Sequence, residues 1–523
     1  MPTAASVIRN FYRDSVALMQ LSSRLGKLPG IRQASAIMAS ETNRALLREA
    51  GLATDEVEAG PNDLLIAIEA DSEATLETAM AEARGTFDRK SDGPASAARR
   101  EPPHSLEMGL EAMPAANLAL ISTPGEYAAA EAMKALHLGL NVMLFSNNVA
   151  LEDEIALKRY AGAHGLMVMG PDCGTAIIGG IPLGFANVVR RGDIGLVAAS
   201  GTGLQQVTCL IDRLGHGVSQ AIGTGGRDLH TEVSALTMQQ GLDALAGDTG
   251  TRVIVLISKA PAPEVAVGVL ERARRAGKPV VVNFLGANSQ VFAASNLHIA
   301  KSLEDTAVIA VALSAGLQPN DVEFPFSSVA EARPGPGQRY VRGLYCGGTF
   351  CYEASLLLSE HLTPVYSNTP AGAAKPLTDV WHSRAHTLID LGDDVFTRGR
   401  PHPMIDHRLR NERIAIEARD PETAVLLLDV VLGYGSHPDP AAEMTPAVAA
   451  AIAEAARGGR RLAVIGFVCG TEADPQNLKR QQETLHEAGM ILTQTNAQAV
   501  QVAASIAAKA TGSIPDSVKA NAQ

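Results

Sequence analysis

The chain has 523 residues, 46% hydrophobic but only 4% aromatic. Cores of Ala, Val, Leu and Ile in about three or four domains are therefore expected, as in parallel sheets covered by Ala-rich helices. Its formal net charge is −12 with no basic block, which argues against a nucleic-acid-binding face. No apolar run is long enough to span a bilayer, and the N-terminus carries no signal-peptide core, so a cytoplasmic location with no membrane partner is expected. The five cysteines (Cys173, Cys209, Cys346, Cys351, Cys469) are an odd set without C-x-x-C spacing, which fits a reducing compartment better than a disulfide framework, and no metal site is expected.

Residues 1 to about 95 read as a small α+β unit. Strands are expected over Val7–Arg13, Gln33–Ala39 and Asp63–Ile68, and helices over Ser15–Leu28, Thr42–Ala50 and Glu73–Arg84. That order matches a ferredoxin-like arrangement. Residues 89–104 are polar and rich in breakers, and read as a linker. From about 105 to 190, strands and helices alternate as in a Rossmann-like, CoA-binding-like domain: Leu118–Ser122, Gly125–Leu138, Asn141–Phe145, Ala150–His164 and Leu166–Met169. The last strand runs into Gly170-Pro-Asp-Cys-Gly174-Thr175, beyond a carboxyl edge where ligands bind in such folds.

A flavodoxin-like α/β domain is expected over 192–318. Its strand Ile194–Ala198 leads into Ser200-Gly201-Thr202-Gly203 and then an apolar-faced helix, Leu204–Leu214. Unpaired amides at such a helix start favour a phosphate or a carboxylate. Ser219–Ile222 leads to Gly223-Thr-Gly225-Gly226-Arg227-Asp228, where exposed amides and the Arg227 guanidinium suit an anion. Lys259 ends the buried strand that starts at Val253, and Val280–Phe284 is a further strand. Residues 319–338 read as a second linker.

Residues 339–510 read as a copy of that domain. Gly343-Leu-Tyr…Gly347-Gly348-Thr349 repeats Gly195-Leu-Val…Gly201-Thr202, Ile389–Gly392 repeats Ile222–Gly225, and Val425–Asp429 repeats Val253–Ile257. A pseudo-dimer of the two would bring helix N-termini towards one anion site. Asp390, Asp393 and Asp394 form a carboxylate cluster beside Gly392, suited to loop hydrogen bonds first, and otherwise to a metal or a substrate amine. Arg398, Arg400, His402, Asp406 and His407 form a polar stretch that is either a substrate loop or a solvated turn. Cys346 and Cys469 are expected to be small buried side chains.

Residues 115–316 resemble the α subunit of succinyl-CoA synthetase, through Gly170-Pro-Asp-Cys-Gly174, Gly192-Asp-Ile-Gly-Leu-Val197, Ser200-Gly-Thr202 and Ile222-Gly-Thr-Gly-Gly226. Residues 340–508 resemble the C-terminal domain of its β subunit, through Leu388-Ile-Asp-Leu-Gly392, Asp429-Val-Val-Leu-Gly-Tyr-Gly435 and Gly470-Thr471. The fusion, without an ATP-grasp domain, resembles the FdrA family.

The resemblance implies two helix N-termini facing one phosphate, one at Ser200–Gly203 and one at Gly433-Tyr434-Gly435-Ser436, with His437 beside the second as an acid/base or ligand contact. It implies the large component of an oxamate carbamoyltransferase that works with partner subunits in an oligomer and handles small acyl-phosphate and carboxylate substrates. Under the alternative, a nucleotide-dependent acyl-CoA synthetase, CoA or a nucleotide would be the cofactor. The sequence departs from the synthetase pattern at three places, one being that the first Gly-rich turn of a CoA-binding domain, near the start of the nucleotide-like fold, is not visible. The phosphohistidine segment is reduced to Ser295-Asn-Leu-His298, and Lys259 stands where the family has an acidic residue. A lysine there suits a bound anion better than an imidazolium. Lys259, Arg227 and His437 are accordingly the expected catalytic groups. A scaffold that binds anions without catalysis is the third reading.

Overall fold

The computed structural model describes residues 1–52, 57–88, 103–287, 295–325, 333–398 and 400–511. The chain divides into two compact units, Met1–Leu166 with Asp394–Asp406, and Met167–Asp393 with His407–Gln523.

The first unit opens with β1 (Thr3–Ile8), α1 (Ser15–Gly26), β2 (Ile31–Met38), α2 (Glu41–Glu49), β3 (Leu64–Ala70) and α3 (Glu73–Asp88). β3 lies between β1 and β2 and runs antiparallel to both, the split βαβ of a ferredoxin-like fold. Side chains on β3 alternate between two cores. Leu64, Ile66 and Ile68 pack with Leu18, Leu21, Leu25 and Leu76, while Leu65 and Ala67 pack with Leu47 and Leu52. The first strand ends at Ile8 instead of reaching Arg13. Asp63 binds the Arg9 guanidinium at 2.7 Å and the Asn10 amide at 2.8 Å, and Asn10 turns the chain with φ of +50°. The linker expected at 89–104 lies, through residue 102, outside the described residues. After α4 (Leu106–Ala112) come β4 (Leu118–Ile121), α5 (Gly125–His137), β5 (Asn141–Leu144) and α6 (Leu151–Ala163), with β4 and β5 parallel.

The second unit begins with β6 (Val168–Met169), β7 (Thr175–Ile178), β8 (Ile181–Gly184) and β9 (Arg191–Ala198). It continues through α7 (Gly201–Arg213), β10 (Val218–Gly223), α8 (Leu236–Gly247), β11 (Val253–Lys259), α9 (Pro263–Arg274), β12 (Val280–Leu285), β13 (Leu297–Ile299) and α10 (Leu303–Ala315). Its later half holds β14 (Tyr340–Tyr345), α11 (Gly348–Ser359), β15 (Val365–Ser367), β16 (Lys375–Pro376) and β17 (His386–Asp390). The short α12 (Asp394–Thr397) belongs to the first unit, and the chain returns with α13 (Arg408–Arg419) and β18 (Thr423–Val431). Then follow α14 (Pro440–Arg457), β19 (Ala463–Cys469), α15 (Leu478–Glu487), β20 (Ile491–Thr493) and α16 (Asn496–Thr511).

Two seven-stranded sheets result, ordered β13-β12-β11-β9-β10-β7-β8 and β16-β15-β17-β14-β18-β19-β20. The run β13-β12-β11-β9-β10 has the same order as β20-β19-β18-β14-β17, so the repeat in the sequence is also a repeat in topology. Both runs are parallel. Val253–Ile257 and all of β18 are buried, as strands covered on both faces must be. β7 and β8 form an antiparallel hairpin on the edge of the first sheet, closed by Gly179 and Gly180, both at positive φ.

Candidate anion site at the carboxyl edges of two sheets

α7 begins at Gly201, three residues before the expected start at Leu204, because Ser200 caps it. The Gly203 amide donates to Ser200 Oγ at 2.9 Å, and Leu204, Val207, Leu210 and Ile211 bury one face of the helix. The amides of Gly201 and Thr202, the first two of the helix, donate no hydrogen bond among the described residues. They are what makes a helix N-terminus an anion site. Gly201 is exposed, and a Cβ there would meet only Thr175 Oγ1 at 3.4 Å.

Facing it is the start of α11. Ser200 Oγ and Thr349 Oγ1 share a 2.7 Å hydrogen bond, and the Thr349 amide donates to Thr202 Oγ1 at 3.4 Å. The loops at 200–203 and 347–349 therefore meet, as the repeat implied. They are not equivalent, however. The amides of Cys346 and Gly347 donate to the two oxygens of Asp429, at 2.8 and 2.9 Å. The second turn thus already holds a carboxylate from its own sheet, and the open amides belong to the first.

Asp429 is fully buried and pairs with Arg410 at 3.0 Å, also fully buried. Burial pushes its carboxyl up, against the pull of Arg410 and of the two amides. Arg410 also donates to His407 Nδ1 at 3.0 Å, so His407 is the neutral imidazole with its proton on Nε2.

Lys259 and Asp390 close the site. Lys259 leaves the end of β11, beside β9, with Nζ 5.3 Å from the Tyr352 ring centroid on α11. Asp390 ends β17. Its Oδ1 accepts from the Gly392 amide at 2.8 Å, and its Oδ2 lies 2.4 Å from where a Cβ on Gly348 would stand. Burial raises its carboxyl to about 6, while Lys259 and the Gly392 amide pull it down. The cluster pattern alone does not single out Asp390; the signal for a site residue is an acid that directly follows Leu388-Ile389 and ends a buried strand at a sheet's carboxyl edge.

The second helix implied at Gly433–Ser436 is displaced. These residues form a turn, with Gly433 and Gly435 at positive φ packed against Ala186 and Phe185. The helix, α14, starts seven residues later, at Pro440, capped by the Asp439 carboxylate. A proline at the first position has no amide to offer, and a carboxylate occupies the cap. The Gly433 amide goes to Gln476 at 3.0 Å and that of Tyr434 to Ala186 at 2.9 Å. Ser436 Oγ is buried without a hydrogen-bond partner among the described residues. His437 accepts the Asp439 amide on Nδ1 at 3.0 Å, which leaves its proton on Nε2, 3.9 Å from Glu443.

The loop of Gly225 and Gly226 is held by its own residues. A Cβ on Gly225, at φ +85°, would stand 2.2 Å from the Pro171 carbonyl. Asp228 caps α8 by accepting the Thr237 and Met238 amides at 3.1 and 2.8 Å. Arg227 is half-buried there. His298 lies within β13, opposite Val281 near the start of β12. It is therefore several residues away from the carboxyl edge, and burial lowers its pKa. Asp393 follows β17 and Asp394 begins α12; Arg398 and Arg400 are exposed, and His402 is held near 4 by burial.

Among the described residues no group of His, Cys, Asp or Glu is arranged to hold a metal, no helix is long and apolar enough to cross a membrane, and all five cysteines are free and buried.

Residues 191–317 match the model of the succinyl-CoA ligase like flavodoxin domain, and 344–506 that of the CoA-ligase domain. Residues 1–103 match a model described as AllF, heavy metal-associated domain. No cysteine or histidine occurs in residues 1–103, so this domain has no thiolate or imidazole to bind a soft metal. The chain is 45% identical over 492 residues to the uncharacterized protein YahF of Escherichia coli (strain K12), covering 93% of this chain and 95% of that protein. It is 27% identical over 194 residues to the ADP-forming sulfoacetate-CoA ligase subunit SauD of Bilophila wadsworthia, 36% of this chain and 64% of SauD. It is 29% identical over 179 residues to the α subunit of the ADP-forming succinate–CoA ligase of Methanothermobacter thermautotrophicus, 33% of this chain and 58% of that subunit. The chain thus spans less than two thirds of either ligase subunit.

A CoA diphosphate would need an open turn after the first strand of the Rossmann-like part. There, a Cβ on Gly125 would stand 2.3 and 2.6 Å from the carbonyls of Asn147 and Asn148. Two carbonyl oxygens close over this turn, and they repel phosphate, so the turn does not fit the group.

Proposed function

Because this chain belongs to the FdrA family, we propose that it is the acyl-phosphate-handling subunit of a carbamoyltransferase that exchanges carbamoyl between carbamoyl phosphate and oxamate or its product oxalurate. The reading includes partner subunits, an oligomeric complex, a cytoplasmic setting and a place in allantoin breakdown. The AllF-described domain at residues 1–103 supports the last.

The observation that carries the reading is the start of α7, where the Gly201 and Thr202 amides are open beside a lysine at the neighbouring strand end. Carbamoyl phosphate is already activated, so no nucleotide is needed. Its phosphate would sit on these two amides, with Ser200 and Thr202 held in place by Thr349. As the C–O bond to phosphate breaks, charge grows on the leaving oxygen, and fixed dipoles aimed there lower the barrier. The Lys259 ammonium adds positive charge to the same edge. Arg227 and His437 remain candidates for the second substrate's carboxylate, together with Gly225, Gly226 and the 433–436 turn.

The test is isothermal titration of the purified complex with carbamoyl phosphate and with inorganic phosphate, for wild type and Gly201→Asp. A side chain fits at Gly201, so the variant is expected to fold and to lose affinity on the order of tenfold or more, since it places a negative charge at the helix start. Unchanged phosphate affinity and carbamoyl transfer in Gly201→Asp would remove the site from the reading.

The match to ligase models supports a second reading, an acyl-CoA synthetase subunit. It requires a phosphorylated histidine. Labelled ATP with the partner subunits would then leave acid-labile phosphate on this chain, and none is expected under the first reading.

A further inference from the structure

Asp390 has no part in holding the phosphate, yet its carboxylate stands at the edge of the site with one oxygen fixed and one open. One oxygen, Oδ1, is fixed by the Gly392 amide at 2.8 Å. The other, Oδ2, takes no hydrogen bond from the described residues and lies over Gly348, where a Cβ would stand 2.4 Å away. The backbone beneath is locked in both directions, since the Asp390 amide donates to Asn368 Oδ1 at 2.9 Å and Asn368 Nδ2 donates to the Asp390 carbonyl at 3.0 Å. Gly348 adjoins Thr349, which bonds Ser200 and Thr202 at the open end of α7. The carboxylate is therefore one residue removed from the contact between the two loops, and the Lys259 charge acts on it from the other sheet. Of the two acids on neighbouring strands near this edge, Asp429 lies inside β18, fully buried and saturated by two amides and Arg410, while Asp390 ends β17 half-buried. Asp390 alone keeps an oxygen available.

We propose that Asp390 is the proton-transfer residue of this site, receiving on Oδ2 the proton that the acceptor amide loses in carbamoyl transfer; this rests on the carbamoyltransferase reading. In that direction, the oxamate amide nitrogen attacks the carbonyl carbon of carbamoyl phosphate. An N–C bond forms, the bond from the carbonyl carbon to the bridging oxygen breaks, the amide proton passes to Oδ2, and phosphate departs with that oxygen on the α7 amides. In phosphorolysis the same acid returns the proton to the leaving nitrogen as phosphate attacks the carbamoyl carbon. A carboxyl that burial holds near 6 can serve both directions, since it is close to balance at neutral pH. The charged and titratable groups that face it are Lys259, Asp393 and Asp429, with the buried thiols of Cys346 and Cys351. Lys259 favours the ionised form and the two acids oppose it.

The experiment measures carbamoyl transfer, phosphorolysis of oxalurate and phosphate binding for the complex with wild-type chain, Asp390→Asn and Asp390→Glu, between pH 5 and 9. Asp390→Asn is expected to lower kcat by about 10²–10⁴-fold, to keep phosphate affinity within about threefold, and to lose the acid-side fall of the transfer rate. Asp390→Glu keeps a carboxyl and is expected to retain that fall at an intermediate rate; it serves as the test if the Asn variant does not fold. Asp390→Asn with a wild-type rate and an unchanged acid limb would overturn the proposal while leaving the carbamoyltransferase reading intact. A wild-type complex that binds phosphate but transfers no carbamoyl would overturn both.

Discussion

Arg410 and Asp429 are both fully buried, and neither has water to fall back on. Arg410 holds Asp429 through Nη1 at 3.0 Å, donates again to its backbone carbonyl at 2.6 Å, and reaches His407 with Nη2. Removing one partner of such a pair strands the other charge, which costs far more than the net worth of the intact pair. Arg410→Met keeps the volume and drops the charge. It is expected to lower unfolding free energy by about 3–5 kcal/mol, read from urea melts. A loss below about 0.5 kcal/mol, the size of an ordinary surface change, would mean that the pair is not buried as described. Because Asp429 also fixes the amides of Cys346 and Gly347, the folded fraction of the variant is expected to carry a disordered α11 start as well. The sequence marks Asp429 only as an acid that interrupts an apolar run; its partner comes from helix α13, nineteen residues earlier, and nothing in the spacing announces it.

At the level of elements, the caps decide where the site is open. Ser200 serves α7 as N-cap and serves α11 through Thr349. Ser200→Ala removes one cap bond and the shorter of the two hydrogen bonds between the loops, leaving only the 3.4 Å bond from the Thr349 amide to Thr202 Oγ1. A cost of about 1 kcal/mol is expected from the cap alone, together with weaker phosphate binding, since the Gly203 amide then has no fixed partner and the turn loosens. Thermal unfolding together with phosphate titration checks this; a stability loss with unaltered phosphate affinity would place the anion elsewhere. Much of this layer was legible. The run Gly195–Leu204 reads as strand, small-residue turn and helix, and its recurrence at Gly343–Thr349 correctly anticipated two matching sheets. Two signals were present and passed over. Asp439-Pro440 is an N-cap followed by a proline at the first helical position, the expected start signal, and it places α14 after the 433–436 turn. Ile178-Gly-Gly-Ile181 is a two-residue hairpin turn between apolar residues, and it puts β7 and β8 on the edge of the first sheet. The end of β1 was not legible, because Asp63, which turns the chain at Asn10, lies 53 residues away.

For the second unit as a whole, the seam between its two sheets sets the response to pH. α7, α10, α11 and α16 meet there, and their contacts join positions far apart in the chain, so sequence pattern alone does not reveal them. Glu353 on α11 is fully buried at this seam. It accepts the first amide of α10, Leu303, at 2.7 Å, and Asn496 Nδ2 at 2.8 Å. Asn496 in turn accepts Tyr345 Oη at 3.2 Å. Burial raises the Glu353 carboxyl from 4.5 to about 7, although both hydrogen bonds favour the ionised form. Between those two pH values the native state keeps a proton that the unfolded chain has released. Stability therefore falls as pH rises from about 4.5 to about 7 and levels off above. The full span is roughly 3 kcal/mol. Glu353→Gln cannot titrate, so its unfolding free energy is expected to lose this component of the slope. The substitution also turns an amide NH₂ towards one of the two donors, Leu303 N or Asn496 Nδ2, a fixed cost of about 1–3 kcal/mol. The two effects separate in denaturant melts at pH 5 and pH 8. Wild type should lose more stability between them than the variant does, and the variant should be the weaker of the two at pH 5. Equal slopes would show that Glu353 stays ionised at the seam, with its two hydrogen bonds outweighing burial.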